Sequence, residues 1–326
     1  MGTYILRRLL YLIPILIIIS IVIFVIIQLP PGDYLSSYVA GLSQTGDEVD
    51  VEHVEALRER YGLDKPVYFQ YWAWISGFTR GDFGFSFEWQ RPVSSLIWGR
   101  LGMTLIVVGG STLFVWIVGF AIGFYSAVRQ YSIGDYIATV IGFLGLSIPN
   151  FMLALILMWI SFSFFGHNVG GLFSVEYVDA PWTLDKIIDL LKHLWIPIVV
   201  IGTAGTAGLI RIVRANLLDE LSKPYMETAR AKGLSERRLL LKYPVRVALI
   251  PFVATAGWTL PKLFSGAIIT SVVLGLPTTG PMLLRALQSQ DMYLAGSFLL
   301  LLSILTVIGT LISDILLAWI DPRIQY

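Results

Sequence analysis

The chain has 326 residues, of which 56% are hydrophobic and only 14% charged, with a net charge of +1. Soluble domains carry about 25% charged residues, so this composition belongs to a protein immersed in lipid, and the balanced charge points to neither nucleic acid nor a strongly acidic partner. There is no cysteine, and the three histidines (His53, His167 and His193) are scattered, which excludes disulfides, thiol chemistry and cysteine-ligated metal and leaves no HExxH-type pair.

A helix needs about 20 apolar residues to cross the hydrocarbon core. Six stretches qualify: 9–29, 103–126, 137–165, 194–213, 247–274 and 295–319. The first, LLYLIPILIIISIVIFVIIQL, is too long for a signal-peptide core and lacks a small-x-small cleavage site, so it is expected to be retained. The third is long enough to tilt or to break at Pro149, and Pro251 and Pro261 divide the fifth into two helical pieces. Arg7 and Arg8 precede the first span, which puts the N-terminus in the cytoplasm. The 31–100 segment holds ten acidic against six basic residues, as an external region can. The 214–246 loop holds eight basic against four acidic residues, and counting six spans from a cytoplasmic start places it inside together with the C-terminal DPRIQY. The expected parts are therefore 1–30, the N-terminus and first span; 31–100, an external insertion; and 101–326, a five-helix core containing the cytoplasmic loop.

Within the insertion, 50–63 reads as a helix stopped by Gly62, and DKPVYFQYWAWISGF reads as a second, aromatic helix with Pro66 near its start. RGDFGFSF is a turn-rich link. Trp72, Trp74, Trp89 and Trp98 crowd this segment and suit an interfacial aromatic belt, with stacking on a sugar ring as the alternative. The 166–193 loop is mixed, with a short helix expected at 183–194. The 275–294 loop starts with glycine and proline turns and continues as a partly apolar helix that can dip back into the bilayer.

Gly119 and Gly123 form a GxxxG pair, and Gly202, Gly205 and Gly208 leave one face of the fourth span nearly bare. Such faces serve close helix packing or leave room for a passage, so Gly205 and Gly208 are candidates for a path. Lys262 is a second candidate, because intramembrane charges are costly. It lies sixteen residues after Arg246, about 24 Å along a helix, where it can also snorkel to the outer surface. Asp291, with Arg285, sits on the last external loop and completes the gate-or-path candidates, whereas Asp314 reads as structural.

The polar segment YMETARAKGLSERR, Tyr225–Arg238, stands out from the apolar chain. Ser222 is placed to cap a helix with Pro224 in its first turn, Gly233 supplies a bend, and Ser235 caps a second helix, ERRLLLK. A short helix, a glycine bend and a second helix result. The pattern alone admits an amphipathic hairpin anchored to lipid headgroups or a surface gripped by another protein.

Glu227-Thr228-Ala229, three residues, then Gly233, resembles the E-A-A-x-x-x-G motif of ATP-binding-cassette importer permeases, with Thr228 for the middle alanine. ARAKGLSERR is similar to its form in the oligopeptide, dipeptide and nickel permease family. RRLLYLIPILIIISIVIFVIIQLPPGD, YGLDKPVYFQYWAWISGFTRGDFGFSF, RPVSSLIWGRLGMTL, GLPTTGPMLL and LISDILLAWIDPRI resemble that family along nearly the whole chain. The resemblance implies an all-α integral membrane protein with six transmembrane helices, a type I importer permease fold, and an insertion between helices 1 and 2. It also implies a multi-pass protein of a bacterial or archaeal plasma membrane, with both termini cytoplasmic, that forms half of a translocation path. Its partners would be a second homologous permease subunit, two ATPase subunits, an external solute-binding protein and membrane lipid. Glu227, Thr228, Ala229, Ala231, Lys232, Gly233, Leu234 and Ser235 would form the ATPase-coupling surface.

No GxxxxGK[ST] phosphate loop occurs, so ATP and magnesium belong to the partner subunits and the chain itself binds no cofactor and is no enzyme. The solute class implied is oligopeptide, with oligosaccharide or nickel as alternatives. Two other classes are weighed. An intramembrane protease would need Ser147, in GLSIP, to meet His167 or His193, which lie at the external ends of spans. A secondary transporter would show inverted repeats and midplane ionisable groups, and only Lys262 hints at either.

Overall fold

A computed structural model describes residues 2–32, 34–36, 39, 54–56, 58, 59, 62–166, 169–245, 247–250 and 267–320. Secondary structure is almost entirely helical. The elements are α1 (Gly2–Gln28), α2 (Val67–Thr79), a two-residue ribbon of β1 (Phe85–Ser86) and β2 (Arg91–Pro92), α3 (Val93–Val128), α4 (Ile133–Ser147) and α5 (Asn150–Phe165). A 3₁₀ turn at Val175–Tyr177 leads to α6 (Leu184–Leu221), α7 (Pro224–Ala231), α8 (Glu236–Lys242), α9 (Thr279–Gln288) and α10 (Met292–Ile320).

Among the described residues, α1, α3, α6 and α10 are each long and apolar enough to cross a membrane, and the bent pair α4–α5 meets the same test only when its two helices are taken together, with the geometry of a broken span or a re-entrant loop. The break between α4 and α5 is the one expected at Pro149: Ile148 and Pro149 are both extended, because proline forbids the residue before it a helical backbone, and the axes turn by 109°. Of the sixth expected span, 247–274, residues 251–266 lie outside the described residues, and 267–273 are helical. Half of the 50–63 helix also lies outside them; residues 54–56, 58 and 59 are helical and Gly62 has a φ of +66°.

The described chain divides into two compact units. The first comprises Met1–Gly102 and Thr278–Val307. The aromatic helix of the insertion is α2, with Pro66 at its N-cap position. Trp74 is buried, stacks near Phe24 of α1 and donates its indole N–H to Ser297 Oγ at 3.0 Å. Trp72 and Trp98 are exposed. The 275–294 loop from Thr278 onwards belongs to this unit, and Asp291 near its end is fully buried. Its carboxylate accepts from Ser86 Oγ at 2.6 Å and from the backbone N–H groups of Glu88 and Leu294 at 3.2 Å, so it caps α10 and holds the β1 turn.

The second unit comprises Met103–Pro277 and Ile308–Tyr326, with α4 and α5 packed against α6. Its core combines Val107 and Val108 of α3, Ala154 of α5, and Leu190, Leu194, Ile196, Val200 and Ile201 of α6. The short helix expected at 183–194 is the beginning of α6, not a separate element. Thr183 caps it by accepting from Lys186 N, and the helix continues through Pro197 for 38 residues. At 1.5 Å per residue that is about 57 Å, well beyond a hydrocarbon core of about 30 Å, so the ends of α6 extend past the apolar layer.

Candidate functional site

The polar segment forms a helical hairpin at the C-terminal end of α6. Pro224 occupies the first turn of α7, where a missing N–H costs nothing. The cap in front of it is Lys223, not the expected Ser222, which instead ends α6 and donates to Asp219 O at 2.8 Å. Gly233 has a φ of +77°, its N–H donates to Arg230 O at 2.9 Å, and Leu234 N–H donates to Ala229 O at 3.3 Å. Those two bonds are the Schellman arrangement that closes a helix through a left-handed residue. Ser235 stands at the N-cap of α8 without a side-chain capping bond. Across the bend, Arg230 and Glu236 form an ion pair at 2.8 Å.

Met226, Ala229 and Leu239 are buried between the two short helices, with Leu221, Leu234 and Tyr243 against them. Ala229 therefore shapes the hairpin from inside. Glu227, Thr228, Ala231, Lys232, Gly233 and Ser235 are exposed on its outside, and Leu234 is half-buried. Spacing along the chain could not separate these two sets, because the bend at Gly233 decides which side α8 covers.

Three residues that the sequence reading did not single out fasten the hairpin to the span. Glu220, buried on the last turn of α6, accepts hydrogen bonds from Lys223 Nζ and from the Tyr225 hydroxyl. Burial, the bond to Glu220 and the nearby carboxylates push the Tyr225 phenol up to about 12. Its own hydrogen bond to Glu220 raises the Lys223 ammonium above its ordinary range. Tyr225 also lies 5.9 Å from the ring of Tyr243. Higher up, Arg214 of α6 pairs at 3.1 Å with Asp135, whose carboxylate is buried in the first turn of α4 and also accepts from Tyr131 N–H at 3.0 Å. The elbow and the ion pair join the hairpin, α6 and α4 in one unit. The only local signal was a cluster of Glu220, Lys223 and Tyr225 around a proline.

The small-residue faces divide. A Cβ added at Gly205 would stand 3.1 Å from Val115, and one at Gly119 or Gly123 would meet Leu209 or Ile210 O at 2.9 Å, so these glycines let α3 and α6 approach closely. Gly208 faces open space, with nothing within 4 Å. Lys262 lies outside the described residues. Ser147 Oγ donates to Phe143 O of its own helix, and His193 Nδ1 contacts Asp189 O at 2.8 Å, so the two do not pair. Among the described residues, no cluster of histidine and carboxylate groups suits a metal.

Long apolar helices, almost no sheet and one polar hairpin at the end of a span define a multi-pass, all-α integral membrane protein. The pattern of the family described as "Binding-protein-dependent transport system inner membrane component" matches residues 119–326, and that of its N-terminal component matches residues 1–108. The chain belongs to this family of importer permeases. It is 37% identical over its whole length to the whole of the oligopeptide transport system permease protein AppB of Bacillus subtilis. It is 34% identical, again with both chains fully covered, to the glutathione transport system permease protein GsiC of Escherichia coli strain K12.

Proposed function

We propose that this permease imports peptides and that the α7–Gly233–α8 hairpin is the surface on which a separate ATPase docks. The observation that carries the docking reading is the hairpin's construction. Its bend is closed by backbone bonds, Met226, Ala229 and Leu239 are turned inward, and Glu227, Thr228, Lys232 and Ser235 are left on its outside, where Leu241 is the one exposed large aliphatic side chain. A hairpin built only to lie on lipid would turn an apolar face outward. The chain has no phosphate loop of its own. Relatives named for oligopeptides and for glutathione support a peptide solute.

In this reading two ATPase subunits, which hold ATP and magnesium, close on nucleotide. One of them pushes the hairpin, and the Glu220 elbow passes the displacement into α6. A second permease subunit completes the path, and an external solute-binding protein delivers the peptide. Gly208, Lys262 and Asp291 remain the proposed path or gate positions. The charge bias of the loops supports both termini on the cytoplasmic side. Nucleotide drives the change only if the ATPase contacts differ between the two states, which needs a rigid joint.

The test is co-purification and transport by the complete complex. Glu227→Arg, at an exposed position, is expected to leave the permease in the membrane and release the ATPase. Undiminished ATPase recovery from that variant would count against docking. Peptide uptake into proteoliposomes that continued on an ion gradient without ATP would overturn the importer mechanism.

A further inference from the structure

Between α4 and α6 lies a cavity of about 350 Å³ that the importer mechanism does not use. Its walls are Ala138, Thr139, Gly142, Phe143 and Leu146 of α4 with Ala207 and Ile210 of α6, and Arg211, Arg214 and Asp135 close one end beside Tyr131 and Tyr136. The pattern is built by helix geometry: 207, 210, 211 and 214 recur at the three- and four-residue spacing of one face. That face is apolar for a turn and then cationic where the apolar stretch 194–213 ends. A Cβ at Gly142 would meet only Ala207, at 3.9 Å, so the floor of the trough is bare.

The charge at the mouth is not balanced from within. Arg214 is taken up by Asp135. Arg211 is exposed and has no ion-pair partner among the described residues, which leaves one uncompensated cation. The apolar side is continuous with the outer surface of α4, where Tyr136, Ile137, Val140, Ile141, Phe143 and Leu144 are each more than half exposed. Tyr136 and Phe143 belong to both surfaces.

We propose that this trough is a binding site for one anionic glycerophospholipid. An acyl chain lies along Gly142, Leu146 and Ala207, and the phosphate sits against Arg211 at the membrane surface. A free carboxylate or phosphate would use the arginine and leave the apolar trough empty. A zwitterionic lipid would bring its own cation towards Arg211. An anionic lipid satisfies both ends. The site needs only that α4 and α6 lie within the membrane, so it stands or falls independently of what docks on the hairpin.

The test uses the complete transporter in phosphatidylcholine nanodiscs doped with phosphatidylglycerol carrying a diazirine in its acyl chain. Adducts are mapped by peptide mass spectrometry. They are expected to concentrate on residues 138–146 and 207–210, at about fivefold the level given by the matching phosphatidylcholine probe, the factor one cation at a lipid surface supplies. Arg211→Gln should bring the two probes level. Gly142→Leu, which fills the trough, should remove adducts of both while the ATPase still co-purifies. Equal labelling by the two probes in the wild type, or labelling unchanged in Arg211→Gln, would overturn the proposal. So would Gly142→Cys, in a chain with no other cysteine, if a maleimide–benzophenone label on that thiol crosslinked to the companion permease subunit, since the trough would then be a subunit interface.

Discussion

Glu220, buried on the last turn of α6, accepts a hydrogen bond from the hydroxyl of Tyr225 on the first turn of α7. The bond turns a chain reversal at Ser222–Pro224 into a fixed elbow, with Lys223 on the same carboxylate. Tyr225→Phe removes one bond to a charged acceptor. Such bonds contribute about 1.5–3 kcal/mol, and the partial exposure of Tyr225 places the loss near the lower end. A slack elbow is expected to keep ATPase bound and hydrolysing while peptide uptake per ATP falls. Parallel assays of hydrolysis and uptake in proteoliposomes check it.

The same bond carries a pH signature. The Tyr225 phenol, pushed up to about 12 from an ordinary value of 10.0, favours the protonated form in the folded protein. Its stabilisation is complete below pH 10 and is lost as pH rises from there towards 12. An ultraviolet titration of the wild type minus Tyr225→Phe is expected to show one phenol ionising about two pH units late. A difference curve centred near 10 would refute the buried bond.

Asp135 and Arg214 lock the start of α4 to the end of α6. Removing one member of a buried pair costs about 3–5 kcal/mol, and because Arg214 is partly exposed Asp135→Ala is expected at the low end or just below it. Asp135→Leu with Arg214→Met, which leaves no unpaired charge, should recover most of the loss. Melting temperatures of the purified permease, singly and doubly substituted, measure the coupling.

Gly233 has open space around a missing side chain, so substitution there tests backbone conformation alone. Gly233→Val is expected to cost about 1–2 kcal/mol locally, whereas Gly233→Asn, which tolerates the left-handed region, should cost less. If docking depends on the bend, ATPase recovery falls in the order glycine, asparagine, valine. Equal recovery from all three would mean that the bend's geometry is irrelevant to docking.

Asp291 is buried, and its burial raises the carboxyl above the ordinary range against the opposing hydrogen bonds from Ser86 and the backbone of Glu88, Leu294 and Phe87. A raised folded-state value means that the folded protein holds this proton more tightly than the unfolded chain. The contribution is present at low pH and is lost as pH climbs through the folded value. Asp291→Asn should therefore lower the melting temperature through weaker capping, yet flatten its decline as pH rises from about 4, the ordinary range for aspartate. Thermal scans across the acidic range separate the two effects.

Much of this molecule is written locally. Spans follow from apolar runs, the break at Ile148–Pro149 from proline's effect on its predecessor, and the hairpin from Pro224 and Gly233, because each depends on neighbours within a few residues. Composition separates a short helix at 183–194 from the apolar span at 194–213, because the first stretch is mixed and the second is apolar. Tertiary packing overrides that division and carries α6 through both as one helix.

The sequence by itself determined that this is a multi-helix membrane protein with one polar hairpin, since hydrophobic periodicity and turn chemistry are short-range. Only the tertiary structure decided that Ala229 faces inward, that Asp135 finds Arg214 79 positions away, that Asp291 caps α10 and reaches Ser86, and that Arg211 closes an apolar trough. Buried charge must find a partner wherever the fold brings one, and separation along the chain does not say which residue that will be.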